Sequence, residues 1–191
     1  MGQPMDQQVL DVELIPLQME HLEILRAWRN MPEISQHMFN EGFITEAQQK
    51  EWFHNMTIDP GQLHWIVQYK NEFVGAVSLN AINQKFKTCS WGFYIGNLKF
   101  RGEGLGYKML YRLLIKVFEE MQFNKIIAEV LNNNQLSIKL HETLGFRREG
   151  YYREHIIKNN IYHDVIAFGY LEKEWHLLKE PLYKKINRQD S

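Results

Sequence analysis

Hydrophobic residues change their spacing several times along the chain, and each change marks an element. Val9 to Leu17 reads as a first strand ending at Pro16. From Met19 to Asn30, Leu22, Leu25 and Trp28 fall on one helical face, and Pro32 stops that helix. Thr45 opens a second helix: Gln48, three residues on, completes a capping-box pattern, and Trp52 and Phe53 follow in the apolar stripe. The period then shortens to that of strands over Leu63–Tyr69, Phe73–Ile82 and the aromatic run Thr88–Ile95, with a turn at Asn71-Glu72. Past three glycines, Leu105, Met109, Leu110, Leu113, Leu114, Val117, Phe118 and Met121 recur at helical spacing. Lys125–Leu131 is a buried strand, and Asn134–Leu144 a short helix closed by Gly145. Arg147–Lys158 and Ile161–Leu171 form a hairpin around Asn159-Asn160.

The resulting order, β-α-α-β-β-β-α-β-α-β-β, predicts an α/β sandwich with a mixed sheet and no internal domain boundary. Its fold should occupy about residues 9–178 of one 191-residue domain, with flexible termini at 1–8 and 180–191. Hydrophobic residues make up 45% of the chain, enough for a real core. The net charge of -1 and the lack of a dense basic face argue against a nucleic-acid partner. Cys89 is the sole cysteine, so no internal disulfide is expected. No apolar run suits a signal peptide or membrane span, and a cytoplasmic location is the expectation.

Arg101-Gly102-Glu103-Gly104-Leu105-Gly106 joins a strand to the long helix. Unpaired N–H groups at a helix start favour phosphate oxygens, and glycines let an anion approach the backbone. The spacing excludes a P-loop and a Rossmann fingerprint. A tight turn without a ligand is the bland alternative.

With this loop the sequence resembles the GNAT N-acetyltransferases. Their cofactor motif, Q/R-x-x-G-x-G/A, is matched by Arg101, Gly104 and Gly106. A second signature, roughly N-x-x-S/A-x-x-x-Y-E-x-x-G-F, is matched by Asn134, Ser137, Glu142, Gly145 and Phe146, with His141 at the tyrosine position. The resemblance implies a GNAT-type mixed, mostly antiparallel sheet with helices on both faces and a splayed central strand pair. It implies acetyl-CoA as co-substrate, with no metal. The pantetheine arm would lie along Phe93 and Ile95, and the pyrophosphate on Arg101, Gly102, Gly104, Leu105 and Gly106. Asn134, Ser137 and Lys139 would complete the site.

Direct acetyl transfer needs a deprotonated amine, a polarised thioester carbonyl and a proton for the thiolate. A backbone N–H near Tyr94 or Ile95 would stabilise the developing oxyanion. The resemblance implies Glu129 as general base, while His141 or Tyr94 would supply the proton. For Glu129 the alternative is an ordinary strand-edge carboxylate, and for His141 a solvent-facing helix residue.

The acceptor side is expected from the N-terminal half. Trp28-Arg29-Asn30 matches an element in a GNAT branch that includes ribosomal-protein N-terminal acetyltransferases and amino-sugar-nucleotide N-acetyltransferases of the pseudaminic-acid pathway. The run Met38 to Thr45 and the Gly92–Gly96 strand look more like the sugar-nucleotide enzymes, which acetylate the 4-amino group of a UDP-linked dideoxy-amino sugar. Gln49 stands where other members carry a histidine. Arg29, Asn30, Met38, Phe39, Gln49 and His64 are the substrate-side candidates, with capping the helix or anchoring a loop as the equal alternative for Arg29 and Asn30. Protein N-termini, polyamines or another small amine are rival acceptors, and a non-catalytic acetyl-CoA sensor is the rival class. Ile156, Ile157 and Ile161 on the closing hairpin offer a homodimer edge or face the core.

Overall fold

Strand alternation divides the residues between two layers. In β2 (Leu63–Tyr69), Trp65, Val67 and Tyr69 join the main core, whereas Ile66 packs into a second, smaller core on the opposite face. The computed structural model describes residues 11–40 and 42–187. Val9 and Leu10 of the expected first strand lie outside them, as do the expected flexible start at 1–8 and residues 188–191.

With β1 (Val12–Pro16), β3 (Glu72–Asn83), β4 (Thr88–Ile95), β5 (Lys125–Leu131), β6 (Arg147–Lys158) and β7 (Ile161–Leu171), the sheet has seven strands in the order β1-β2-β3-β4-β5-β7-β6. All neighbours are antiparallel except β4 and β5. That parallel pair is in register only at Thr88–Lys125, Cys89–Ile126 and Ser90–Ile127. Beyond Ser90 it opens: β4 continues along β3 to Ile95, and β5 along β7 to Leu131. The V-shaped gap is the splayed pair that the resemblance implied.

Helices cover both faces. The helices α1 (Leu22–Arg29), α2 (Pro32–Ser35) and α3 (Glu46–Ile58) form the N-terminal set; Leu25, Trp28 and Ile34 of α1 and α2 pack with Ile66, Ala76 and Tyr94. The other face carries α4 (Leu105–Ile115), α5 (Gln135–Leu144) and α6 (Glu172–Asn187), with Met109, Leu113, Ile138, Trp175 and Leu182 in the main core. Thr45 caps α3 as the sequence predicts: its Oγ1 accepts from Gln48 N–H at 3.3 Å, and Gln48 Oε1 accepts from Thr45 N–H at 2.9 Å. The hairpin turn is the left-handed pair Asn159 and Asn160, with φ of 51° and 58°.

Two expectations change. The long helix is α-helical only to Ile115 and then forms a π turn, Lys116–Glu120. That turn aims Glu119 at α6, where it accepts from Trp175 Nε1 (2.8 Å) and Lys179 Nζ (2.9 Å). The segment expected to be flexible from residue 180 is instead part of α6. Trp175, Leu182 and Ile186, spaced seven and four apart, are buried against the main core. A polar composition and Pro181 inside the helix obscure that stripe in the sequence.

Candidate active site

The opening of β4 from β5 leaves a cavity of about 530 Å³. Trp91–Ile95 form one wall, Ala128–Leu131 the other, and Asn134, Ser137 and His141 of the α5 region lie below. Gly96 N–H donates to Val74 O at 2.8 Å. Alternation from that point turns Tyr94 and Gly92 toward β3, and sends the N–H groups of Phe93 and Ile95 into the gap. An extended ligand can pair with those orphaned donors as an added strand would. Of the two expected oxyanion donors, Ile95 has the right direction and Tyr94 does not.

The glycine loop closes one end. Gly104, at φ 73°, is the N-cap of α4, and Gly102 has φ 88°; both sit where a side chain is strained. Arg101, Gly102 and Gly106 line the cavity. Leu105, at 1% exposed, is core, so only its backbone is available to an anion. Arg101 donates to Glu33 O at 3.1 Å, across the cavity mouth. Lys139 departs from expectation: it points away, toward Tyr107, Thr143 and Lys185 in a separate cavity of about 240 Å³.

A second cavity, of about 460 Å³, lies on the α1–α3 face. It shares Arg29, Met38, Asn40, Gly92, Phe93 and Tyr94 with the first, so the two meet at β4. Gln49 and His64 line this second cavity, while Phe39 lines only the first. Gln49 is 6% exposed, and its side-chain amide makes no hydrogen bond among the described residues. His64 approaches Gln62 Oε1 at 3.2 Å and meets Trp52 edge-on; burial and the Arg29 charge lower its pKa to about 4. Arg29 lies over the Tyr94 ring at 5.9 Å, and its buried Nε has no partner. The second cavity has no aspartate or glutamate among its described lining residues.

Asn30 is a correction. Its amide is spent on backbone, donating to Ile44 O (2.9 Å) and accepting from Ile44 N–H (2.8 Å), and it lines neither cavity. It anchors a loop. Sequence reasoning passed over Gln62, Ser78 and Asn80, which line the second cavity. The signal was available, since Ala76, Ser78 and Asn80 form a weakly apolar alternate row in an otherwise buried strand.

Glu129 is exposed on the cleft wall of β5 and has neither hydrogen bond nor ion pair among the described residues. Ile127 is opposite Ser90, so alternation puts Glu129 on the same face as Gly92 and Tyr94, the side of the second cavity. Tyr94 lines both cavities, and burial raises its pKa.

His141 does not match either reading of the sequence. It is 2% exposed, stacked on Phe168 and edge-on to Phe146. Trp91 Nε1–H, which can only donate, reaches His141 Nε2 at 3.1 Å. Nδ1 therefore carries the proton and donates to Ser137 O at 2.7 Å. Burial lowers its pKa to about 4. Both nitrogens are engaged in the neutral state, which leaves no proton to give a thiolate.

Comparison with known proteins agrees with this architecture. Residues 11–147 match the family model described as an acetyltransferase (GNAT) domain. The chain belongs to the GNAT acetyltransferases and is an acetyl-CoA-dependent N-acetyltransferase. It is 31% identical over 130 residues to the prophage-derived uncharacterized N-acetyltransferase YokL of Bacillus subtilis, covering 67% of this chain and 72% of YokL. It is 24% identical over 131 residues to the acetyltransferase PseH of Campylobacter jejuni, covering 68% and 79%. In fold it is similar to the spermidine N-acetyltransferase of Vibrio cholerae, crystallised with CoA and spermine. That match has a TM-score of 0.82 at 22% identity, over 87% of this chain and 98% of the other. No helix among the described residues is long and apolar enough to cross a membrane.

Proposed function

We propose that this acetyltransferase acts on the amine of an anionic sugar nucleotide, the 4-amino group of a UDP-linked dideoxy-amino sugar. The observation that carries the reading is the charge of the second cavity. Among its described lining residues the only ion is the Arg29 guanidinium, whose buried Nε lacks a partner, and His64 is neutral. A diphosphate would complement that charge through paired hydrogen bonds. A polyamine would bring several positive charges to a cavity with no carboxylate among its described lining residues, with Glu129 of the adjoining cleft wall nearby to receive them. Met38, Trp52 and Tyr94 offer apolar surface to a sugar ring, and Gln49, Gln62, Ser78 and Asn80 offer donors and acceptors to its substituents.

Acetyl-CoA supplies the thioester that the amine attacks. Glu129 accepts the proton of the incoming ammonium, directly or through water, since its carboxylate is otherwise uncommitted. The Ile95 N–H meets the negative charge that develops on the carbonyl oxygen. Tyr94, held protonated by burial, takes the role of acid that His141 cannot fill. Asn134 and Ser137 line the thiol end of the cleft; Asn134 Oδ1 accepts from Ser137 N–H at 3.2 Å and fixes the start of α5.

The test is thiol release from acetyl-CoA with a UDP-4-amino-4,6-dideoxy-hexose, a peptide amine and spermidine in parallel. Rapid release with the sugar nucleotide alone is the expected result. Release only with peptide or spermidine would keep the acetyltransferase and discard the anionic acceptor.

A further inference from the structure

The β6–β7 hairpin carries one residue from far along the chain to the backbone that supports the acceptor cavity. Lys158, the last residue of β6, is 8% exposed. Its ammonium donates to Ser35 O (2.8 Å), Gln36 O (2.9 Å) and Met38 O (2.7 Å). Carbonyl oxygens accept from the ammonium, and a buried lysine is tolerated when its charge is met by such partners. Two of them, Ser35 O and Gln36 O, are at the C-terminal end of α2, where partial negative charge accumulates.

These carbonyls belong to the segment that joins α2 to α3. Its Met38 and Asn40 line both cavities, and Gly42, Phe43 and Ile44 line the second. Between Gln36 and Ile44 the described residues form no helix or strand; turn bonds from His37 N–H to Ile34 O and Met38 N–H to Ser35 O hold the near end, and side chains add to them. Asn30 clamps the far end through its two bonds to Ile44, and Lys158 clamps the near end. We propose that Lys158 is a positioning residue for acetyl transfer, fixing the 35–38 backbone so that Met38 and Asn40 close the junction where amine meets acyl group.

The acetyl-CoA cavity draws most of its lining from β4, β5, the glycine loop and α5, with His37, Met38, Phe39 and Asn40 of the clamped segment added on one side. Loosening the segment should act chiefly on the acceptor, because the β4 N–H groups and the glycine loop stay in place. Lys158→Met removes the ammonium and keeps most of the apolar stem. Hydrogen exchange on the full chain should show amides of 36–44 exchanging at least about tenfold faster, with the β2–β3 amides unchanged. In kinetics with a wild-type acceptor from the three-amine panel, its KM should rise about tenfold or more. The kcat and the Kd for acetyl-CoA should stay within about threefold. Lys158→Arg should fall between, because a planar fork cannot satisfy three carbonyls around one point. An unchanged exchange rate in 36–44, or a lowered Tm with an unchanged KM, would overturn the proposal. The kinetic arm rests on the acceptor reading above. If the wild type turns over none of the three amines, that reading alone has failed, and the exchange result decides the role of Lys158.

Discussion

Glu129 and His141 occupy neighbouring parts of one cleft, yet their surroundings separate them chemically. The carboxylate is exposed on the cleft wall without a partner among the described residues, whereas the imidazole is saturated on both nitrogens and sealed among aromatic rings. Glu129→Gln should lower turnover about 100-fold or more while leaving the Kd for acetyl-CoA within about twofold, measured by steady-state kinetics and calorimetry. Equal loss of both would remove the carboxylate from the chemistry. His141 belongs to stability instead. Its folded pKa of about 4 lies below the ordinary 6.5, so its contribution is full above pH 6.5 and is lost as pH falls toward 4. The loss is on the order of 3 kcal/mol, and His64, shifted the same way, adds to it. Thermal melts should be flat from pH 8 to 7 and decline steadily below about 6.5. His141→Gln, which does not titrate, should flatten part of that decline.

At the scale of elements, the start of α4 joins local backbone geometry to cofactor binding. Gly104 is its N-cap at φ 73°, a conformation that costs a residue with a Cβ about 1–2 kcal/mol. Gly104→Val should weaken acetyl-CoA binding about tenfold or more and lower the Tm by a few degrees. A normal Kd beside a lowered Tm would show that the loop is only a turn. A different constraint acts at Gly75 in β3, where an added Cβ would lie 2.2 Å from Tyr94 O. That position requires close approach of two strands, which no pattern of spacing in the chain announces.

Across the whole molecule, the two cavities differ in what they present. The first offers free β4 N–H groups and a glycine loop, and the second offers one guanidinium among amides and aromatics. Arg29→Met should raise the KM for a UDP-linked amine about tenfold or more, yet change little for the same amino sugar without its nucleotide. Comparison of kcat/KM for the two acceptors makes the check, with a melt to confirm folding. Comparable losses on both would assign Arg29 to packing against Tyr94 rather than to an anion.

Local signals in the chain carried much of this outcome. The helical stripe ending at Trp28, the Thr45–Gln48 capping box, the alternation of β2 to β4 and the glycines before α4 each depend on near neighbours, and each was legible. The parallel order of β4 and β5 was legible only through resemblance, because pairing between strands some 30 residues apart leaves no local trace. Tertiary structure alone decided the rest. Asn30 became a loop clamp because Ile44 folds back onto it, and His141 lost its acidic role because Trp91, 50 positions away, donates to its free nitrogen. Lys158 came to hold the backbone behind the acceptor cavity because the end of the β6–β7 hairpin reaches the carbonyls of Ser35, Gln36 and Met38. Sequence fixes what a residue can donate, accept or bury, but the partner that uses that capacity is chosen by long-range packing.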